Sequence, residues 1–293
     1  MPESDLASLH ELVAQPADHG DRHLWGADDS VVLKRLAMGS VLGGHLAELS
    51  GRSVLLRTKH QFAAALALIE LDGVARRLLL CPPDVKLSHL PTLIGNAEVD
   101  AVVIDSESDP AETTGLAVQA TCSRTVEPAP PVVRDRRTEW LLMTSGTAGL
   151  PKLVMHTVAS LTDAIKTRNS AHTDIVWGTF YDIRRYGGLQ IFFRALLSGG
   201  SLVLSDAGES VQAFLARLGQ HGVTHLTGTP SHWRRVLMSP ANKLIAPRYV
   251  RLSGEIVDSA VLEGLRELYP RAGIGHAFAS TEAGVAFDVD DAR

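Results

Sequence analysis

The feature that most constrains this chain is an alternation of short apolar runs with helix-like segments. Residues 53–56, 77–81 and 101–105 read as buried strands, and residues 61–71 and 87–94 between them read as helices. A helical pattern over 31–49, stopped by Ser50 and Gly51, precedes them, after a polar, His-rich lead-in over 1–30. Strand and helix in alternation predict a mostly parallel sheet covered by helices. Pro82 and Pro83 end one strand, and the proline-rich stretch 127–131 lies within a polar connection over 106–137. The pattern restarts with a strand at 140–143, a glycine loop at 145–151 and a helix from about Ala159. Strands at 176–180, 201–204, 224–227 and 249–252 then alternate with helices at 188–197, 211–221, 230–238 and 259–269. The expected fold class is therefore α/β, with two αβ subdomains over 1–137 and 138–293.

Composition narrows the function. With 28 Lys and Arg against 33 Asp and Glu, the net charge is −5, which opposes a general nucleic-acid binder. The most apolar stretch, 62–71, is about half of what a membrane helix needs. Cys81 and Cys122 are the only cysteines, fitting a reducing compartment. The N-terminal residues lack the basic and apolar regions of a signal peptide. The expected location is cytoplasmic, with no membrane and no nucleic-acid partner.

Two segments carry chemistry. The first runs Thr144, Ser145, Gly146, Thr147, Ala148, Gly149, Leu150, Pro151, Lys152, directly after an apolar strand. Glycines allow close backbone approach, so successive N–H groups can point at one anion. Hydroxyls add donors, and Lys152 adds a point charge. That inventory suits a polyphosphate, although composition alone also describes a solvent-exposed turn. It is not a Walker A loop, because Pro151 precedes the lysine and Leu153 follows it. The second segment runs His276, Ala277, Phe278, Ala279, Ser280, Thr281, Glu282. Phe278 offers a stacking face, and Glu282 is the hard oxygen ligand that Mg²⁺ takes. Without further context, it also describes a loop with a solvated glutamate.

The order of residues in the first segment closely resembles the phosphate loop of the adenylate-forming superfamily: acyl-CoA synthetases, firefly luciferases and adenylation domains. Ala148 departs from it, standing where the family has Thr or Ser. The second segment is similar to the superfamily's Tyr-Gly-x-Thr-Glu motif, with Ala279 replacing the glycine and His276 standing where an asparagine often sits. Leu252, Ser253, Gly254 and Glu255 resemble the segment bordering adenine, and the resemblance covers roughly residues 30–287.

It implies ATP-dependent activation of a carboxylic acid to acyl-AMP, with ATP and Mg²⁺ as cofactors and the thiol of CoA or a carrier protein as acceptor. The implied roles place Thr144, Ser145, Gly146, Thr147, Gly149 and Lys152 on the phosphates. Thr281 contacts the α-phosphate and Glu282 holds the metal, making Lys152, Thr281 and Glu282 the implied catalytic set. Gly254, Glu255, Ala277, Phe278, Ala279 and Ser280 border the adenine. Tyr181, Arg185 and Gly188 fall where relatives hold the acid. Arg185 fits either a carboxylate partner or a surface residue packed over a turn.

The family's Thr-Gly-Asp motif is not found, and the sequence stops eleven residues past Glu282. The expectation is thus the first two-thirds of a large domain, truncated or split, that binds but does not turn over alone. A non-catalytic nucleotide- or acyl-binding module is the alternative, and an interaction scaffold a third. His19 with His23, and His221 with His225, have helical metal-ligand spacing but no third ligand nearby in sequence. His156 fits a structural place better than that of a base.

Overall fold

The computed structural model describes residues 8–15, 21–109, 115–144, 149–165, 174–280 and 284–290, those from 278 onward as backbone alone. In chain order, α1 (Leu9–Ala14) starts from a Ser8 cap and is followed by the short strands β1 (His23–Trp25) and β2 (Ser30–Val32). Next come α2 (His45–Glu48), β3 (Ser53–Leu56), α3 (Gln61–Leu71), β4 (Arg77–Leu80), α4 (Leu90–Asn96), β5 (Ala101–Asp105) and β6 (Val118–Cys122). β7 (Glu139–Thr144), β8 (Lys152–His156) and α5 (Val158–Thr162) follow. The rest is β9 (Val176–Thr179), α6 (Tyr186–Leu197), β10 (Ser201–Leu204), α7 (Val211–Gln220), β11 (His225–Gly228), α8 (Pro230–Met238), β12 (Tyr249–Ser253), α9 (Ser259–Leu268), β13 (Gly273–Ser280) and β14 (Gly284–Asp290). The architecture is α/β, with two sheets of mostly parallel strands flanked by helices.

The chain forms two compact units, residues 1–17 with 31–165, and residues 18–30 with 166–293. This differs from the division at 137/138 read from sequence. β7 pairs in parallel with β4, and β8 pairs with β7, so both strands belong to the first unit's sheet. The lead-in also contributes a strand to the second unit, since β1 pairs in parallel with β10.

The first sheet has the order β6-β5-β3-β4-β7-β8 and is parallel up to the final β7–β8 pair. Side chains alternate across a strand, so each face takes every second residue. Leu55, Leu79, Val102 and Ile104 pack with Leu90 and Leu93 of α4. Every residue of α3 is buried, including Gln61 and Glu70. β6 falls in the stretch expected to be loop. It is an edge strand in which only Ala120 and Cys122 are buried, so its composition resembles that of a loop.

The helix expected over 31–49 is replaced by a 3₁₀ turn, Leu33–Ala37, and the single turn α2. A distant group accounts for the break. The buried Glu70 carboxylate accepts the Ser40 hydroxyl at 2.5 Å and the Val41 N–H at 2.6 Å, drawing the chain inward. Gly39 passes so close to residue 127 that a Cβ would lie 2.4 Å from the Glu127 carbonyl.

The second sheet has the order β14-β13-β12-β11-β9-β10-β1-β2, parallel from β13 through β1 and antiparallel at β13–β14. Leu226, Val250, Leu252 and Ile274 form its core with Phe214 and Leu218 of α7, Trp233 of α8 and Leu265 of α9. On β1, Trp25 stacks between His23 at 4.9 Å and His221 at 4.4 Å, so these histidines serve an aromatic stack. Among the described residues no group of three or more His, Cys, Asp and Glu is placed to hold a metal. Nor is any helix among them long and apolar enough to cross a membrane.

Glu70 anchors a segment some thirty residues away in sequence, and truncating it strands buried donors. Glu70→Ala is expected to lower the unfolding free energy by about 2–4 kcal/mol, measured by urea denaturation.

Candidate functional site

The glycine-rich segment closes a β-hairpin. β7 and β8 pair antiparallel with Trp140 opposite His156, Leu142 opposite Val154 and Thr144 opposite Lys152. Thr144 is buried at the end of β7, and Lys152 opens β8 with an exposed side chain that forms no ion pair among the described residues. Gly149 sits at φ +151°, a conformation that side chains rarely adopt. Ser145, Gly146, Thr147 and Ala148 lie outside the described residues. The segment following the loop is a strand, and the helix starts at Val158, one residue from the expected Ala159. His156 lies four residues along β8 from Lys152, about 13 Å at strand rise, which suits a structural place.

The second unit gathers its candidates at the carboxyl ends of its parallel strands, where ligands bind in open α/β sheets. Tyr181, just past β9, reaches over the end of β11 to the end of β12. Its hydroxyl accepts the Ser253 N–H at 3.2 Å, donates to the Ser253 carbonyl at 2.9 Å and lies 2.9 Å from Ser253 Oγ. Burial pushes this phenol up to about 12, against the opposing pull of the Ser253 hydrogen bonds and the Arg251 charge. Ser253 itself is in register with Ala277 on β13.

Gly254 follows at φ +86°, turning the chain so that Glu255 meets the first turn of α8. The Glu255 carboxylate accepts the Ser231 N–H at 3.0 Å and the Ser231 hydroxyl at 2.6 Å. Helix N-termini offer unsatisfied N–H groups and a positive dipole end to such an anion. Burial opposes the charge, but hydrogen bonds from Ser231 and Thr229 outweigh it and hold the carboxyl below the usual range. Thr229 caps α8 in a box with His232, whose Nδ1 accepts the Thr229 N–H at 3.1 Å. The His232 ring stacks on Phe180 at 5.1 Å, and burial with Arg235 nearby lowers its pKa, leaving it neutral at pH 7.

The turn after Tyr181 is built around an ion pair. Arg184, 2% exposed, forks onto Asp182, with Nε to Oδ1 at 2.8 Å and Nη2 to Oδ2 at 2.7 Å. Arg185 is the N-cap of α6 and is half-buried. Gly188 lies against this turn, where a Cβ would come within 2.2 Å of the Asp182 carbonyl. Its lack of a side chain thus lets α6 approach the backbone.

Phe278, Ala279 and Ser280 lie on β13, so the first part of the second motif is strand rather than loop. The register shifts between Phe278 and Ala279, and Ser280 pairs with Gly284. Thr281 and Glu282 fall between these strands, outside the described residues. Sequence reasoning placed the helix start at Pro230 but gave Ser231 and His232 no role at the site. It also missed the Asp182–Arg184 pair.

Residues 55–293 match the AMP-binding enzyme family. The chain belongs to that family. Among curated proteins, it is 29% identical over 154 residues to a plipastatin synthase polypeptide of Bacillus subtilis (strain 168), a match covering 50% of this chain and 6% of that protein. Among solved structures, it superposes on CmiS6 with a TM-score of 0.76 at 22% identity, covering 97% of this chain and 74% of the other. The Klebsiella oxytoca NpsA N-terminal subdomain, in complex with 3-hydroxyanthranilyl-AMSN, gives a TM-score of 0.74 at 17% identity, covering 97% and 76%. These two share the fold of this AMP-binding chain.

Glu255 has a depressed pKa when folded, so its contribution is present above the ordinary carboxylate pKa and is lost as pH falls through the folded value. Glu255→Gln is expected to lower Tm by about 1–3 °C at pH 7, an exposed contact being worth little. The gap to wild type should narrow as pH falls below the ordinary carboxylate range, in melts followed by circular dichroism.

Proposed function

We propose that this chain supplies the nucleotide- and acyl-binding portion of an ATP-dependent ligase. Such a ligase activates a carboxylic acid as acyl-AMP before transfer to the thiol of CoA or a carrier protein. The observation that carries the reading is the hairpin that holds residues 145–151 between Thr144 and Lys152, in a chain of the AMP-binding family. An exposed ammonium, flanking hydroxyls and a glycine-rich backbone make a donor set suited to phosphate oxygens.

In this reading a carboxylate oxygen attacks the α-phosphorus, the bond to the β-phosphate oxygen breaks, and pyrophosphate leaves. Ser145, Gly146, Thr147, Gly149 and Lys152 hold the β- and γ-phosphates, and Thr281 donates to the α-phosphate. Adenine lies between Phe278 and the Gly254–Glu255 segment, bordered by Ala277, Ala279 and Ser280. Tyr181, Arg185 and the α6 start near Gly188 border the acid. Glu282 would hold Mg²⁺, which supplies charge neutralisation at the phosphate oxygens when bound. Positioning and fixed donors do most of the work in such a transfer. Cys81 and Cys122, buried and outside any disulfide, support a cytoplasmic setting for an ATP user.

Isothermal titration of this chain with Mg·ATP is expected to show weak binding, and Glu282→Ala should weaken it about tenfold, or roughly 1.4 kcal/mol. Unchanged affinity removes Glu282 as the metal ligand. A pyrophosphate-exchange assay over a panel of carboxylic acids, on the longer natural chain, tests the reaction. ATP binding without exchange for any acid identifies a non-catalytic nucleotide-binding module instead.

A further inference from the structure

The stretch between β12 and α9 has little to hold it in place on its own account. From Gly254 to Asp258 every residue is exposed except Val257, which is half-buried at the margin of the second sheet's core. Ile256, a large aliphatic residue, is 94% exposed. Among the described residues, Glu255, Ile256 and Val257 make no main-chain hydrogen bond to another segment. A stretch with so few apolar and main-chain contacts sits at the low-stability end of a fold, where its polar contacts decide its conformation.

Two carboxylates supply those contacts, and both end on the start of α8. Glu255 accepts the N–H and the hydroxyl of Ser231, and Asp258 accepts from Arg234. Arg234 Nη1 also reaches Ser231 Oγ at 3.5 Å, so Ser231 stands between the two. Asp258 has a second hold, since it caps α9 through the Val261 N–H at 2.9 Å. Glu255 has none: its hydrogen bonds go to Ser231 and Thr229, both at the start of α8.

Ser231 is itself firmly placed. Thr229 and His232 close the capping box around it, and Pro230 presets the first helical position. Two residues on, Trp233 is fully buried and donates its Nε1–H to the Arg251 carbonyl at 3.3 Å. The start of α8 is therefore the rigid member of the contact, and the stretch 254–258 the compliant one.

We propose that Ser231 is a positioning residue for the nucleotide, acting through Glu255 to fix the Gly254–Glu255 segment against which adenine lies. The inference rests on the nucleotide-binding reading given above. A segment already held in its binding conformation avoids the entropy loss of ordering when ligand arrives. Ser231 thus raises affinity without touching the ligand.

The test is isothermal titration of Mg·ATP into this chain as wild type, Ser231→Ala, Ser231→Thr, Glu255→Ala, and Ser231→Ala combined with Glu255→Ala. Ser231→Ala should weaken binding about fivefold, while Ser231→Thr, which keeps the hydroxyl, should stay within about twofold of wild type. Glu255→Ala should weaken binding at least as much as Ser231→Ala. With Glu255 already truncated, Ser231→Ala should change affinity by less than about twofold, because residues acting through one contact are not additive. Unchanged affinity in Ser231→Ala overturns the proposal, and so does equal weakening by Ser231→Thr. A smaller loss in Glu255→Ala than in Ser231→Ala, or a full fivefold effect of Ser231→Ala without Glu255, also overturns it. A wild-type chain that does not bind Mg·ATP removes the nucleotide-binding reading, and this inference with it.

Discussion

Parallel pairing is the constraint on which the rest of this structure depends. When neighbouring strands run the same way, each must be followed by a crossover, and all their carboxyl ends arrive at one edge of the sheet. In the second unit that edge receives the turn at Tyr181, the capped start of α8 and the Ser253–Glu255 segment. None of these is close to the others in sequence; Tyr181 and Ser253 are 72 residues apart. Their hydrogen bonds are short because β9, β11 and β12 are neighbours in fixed register. The local chemistry then adds precision. A glycine at φ +86° redirects the chain, and a helix N-terminus takes the carboxylate that follows.

Both sheets end in the same manner. Each has an antiparallel hairpin at an outer edge, β7–β8 in the first sheet and β13–β14 in the second. The first hairpin encloses the glycine-rich segment, and the second carries residues 276–280 on its first strand, two segments whose residue order carries the family resemblance. A hairpin holds a short connection by paired strands on both sides, whereas a loop leading into a helix is held by a strand on one side only. Thr144 opposite Lys152, and Ser280 opposite Gly284, are the last rungs before each connection.

Some of this was legible in the residues, and the boundary has a physical basis. α3, β5, β10 and α8 fall where their patterns place them, because each is a compact apolar or amphipathic run with a clear stop. β1, β6, β8 and β13 were not read as strands. The first three lie toward or at sheet edges and are only partly buried, and β13 is rich in Gly and Ala, so none shows a continuous apolar run. The broken helix over 31–49 depends on Glu70, some thirty residues away. Of the candidate site, the phosphate and adenine segments were visible as ordered residue types. The Asp182–Arg184 fork and the Ser231 contact depend on pairings that only the fold creates.

The strand β1 has a consequence for how the molecule is made. Its partner β10 lies almost 180 residues later, and the His23 N–H bonds to the Ser201 hydroxyl across that span. During synthesis the first unit can complete its sheet once β8 has emerged, since domains fold largely as units. β1 must meanwhile wait, already translated and paired only with β2, until Ser201–Leu204 leaves the ribosome. Trp25 then lies on a strand with one open edge and without His221 to stack on, the kind of segment that chaperones shield. A gene fragment starting at residue 138 would omit this strand and leave β10 as a bare edge, prone to pairing with another chain.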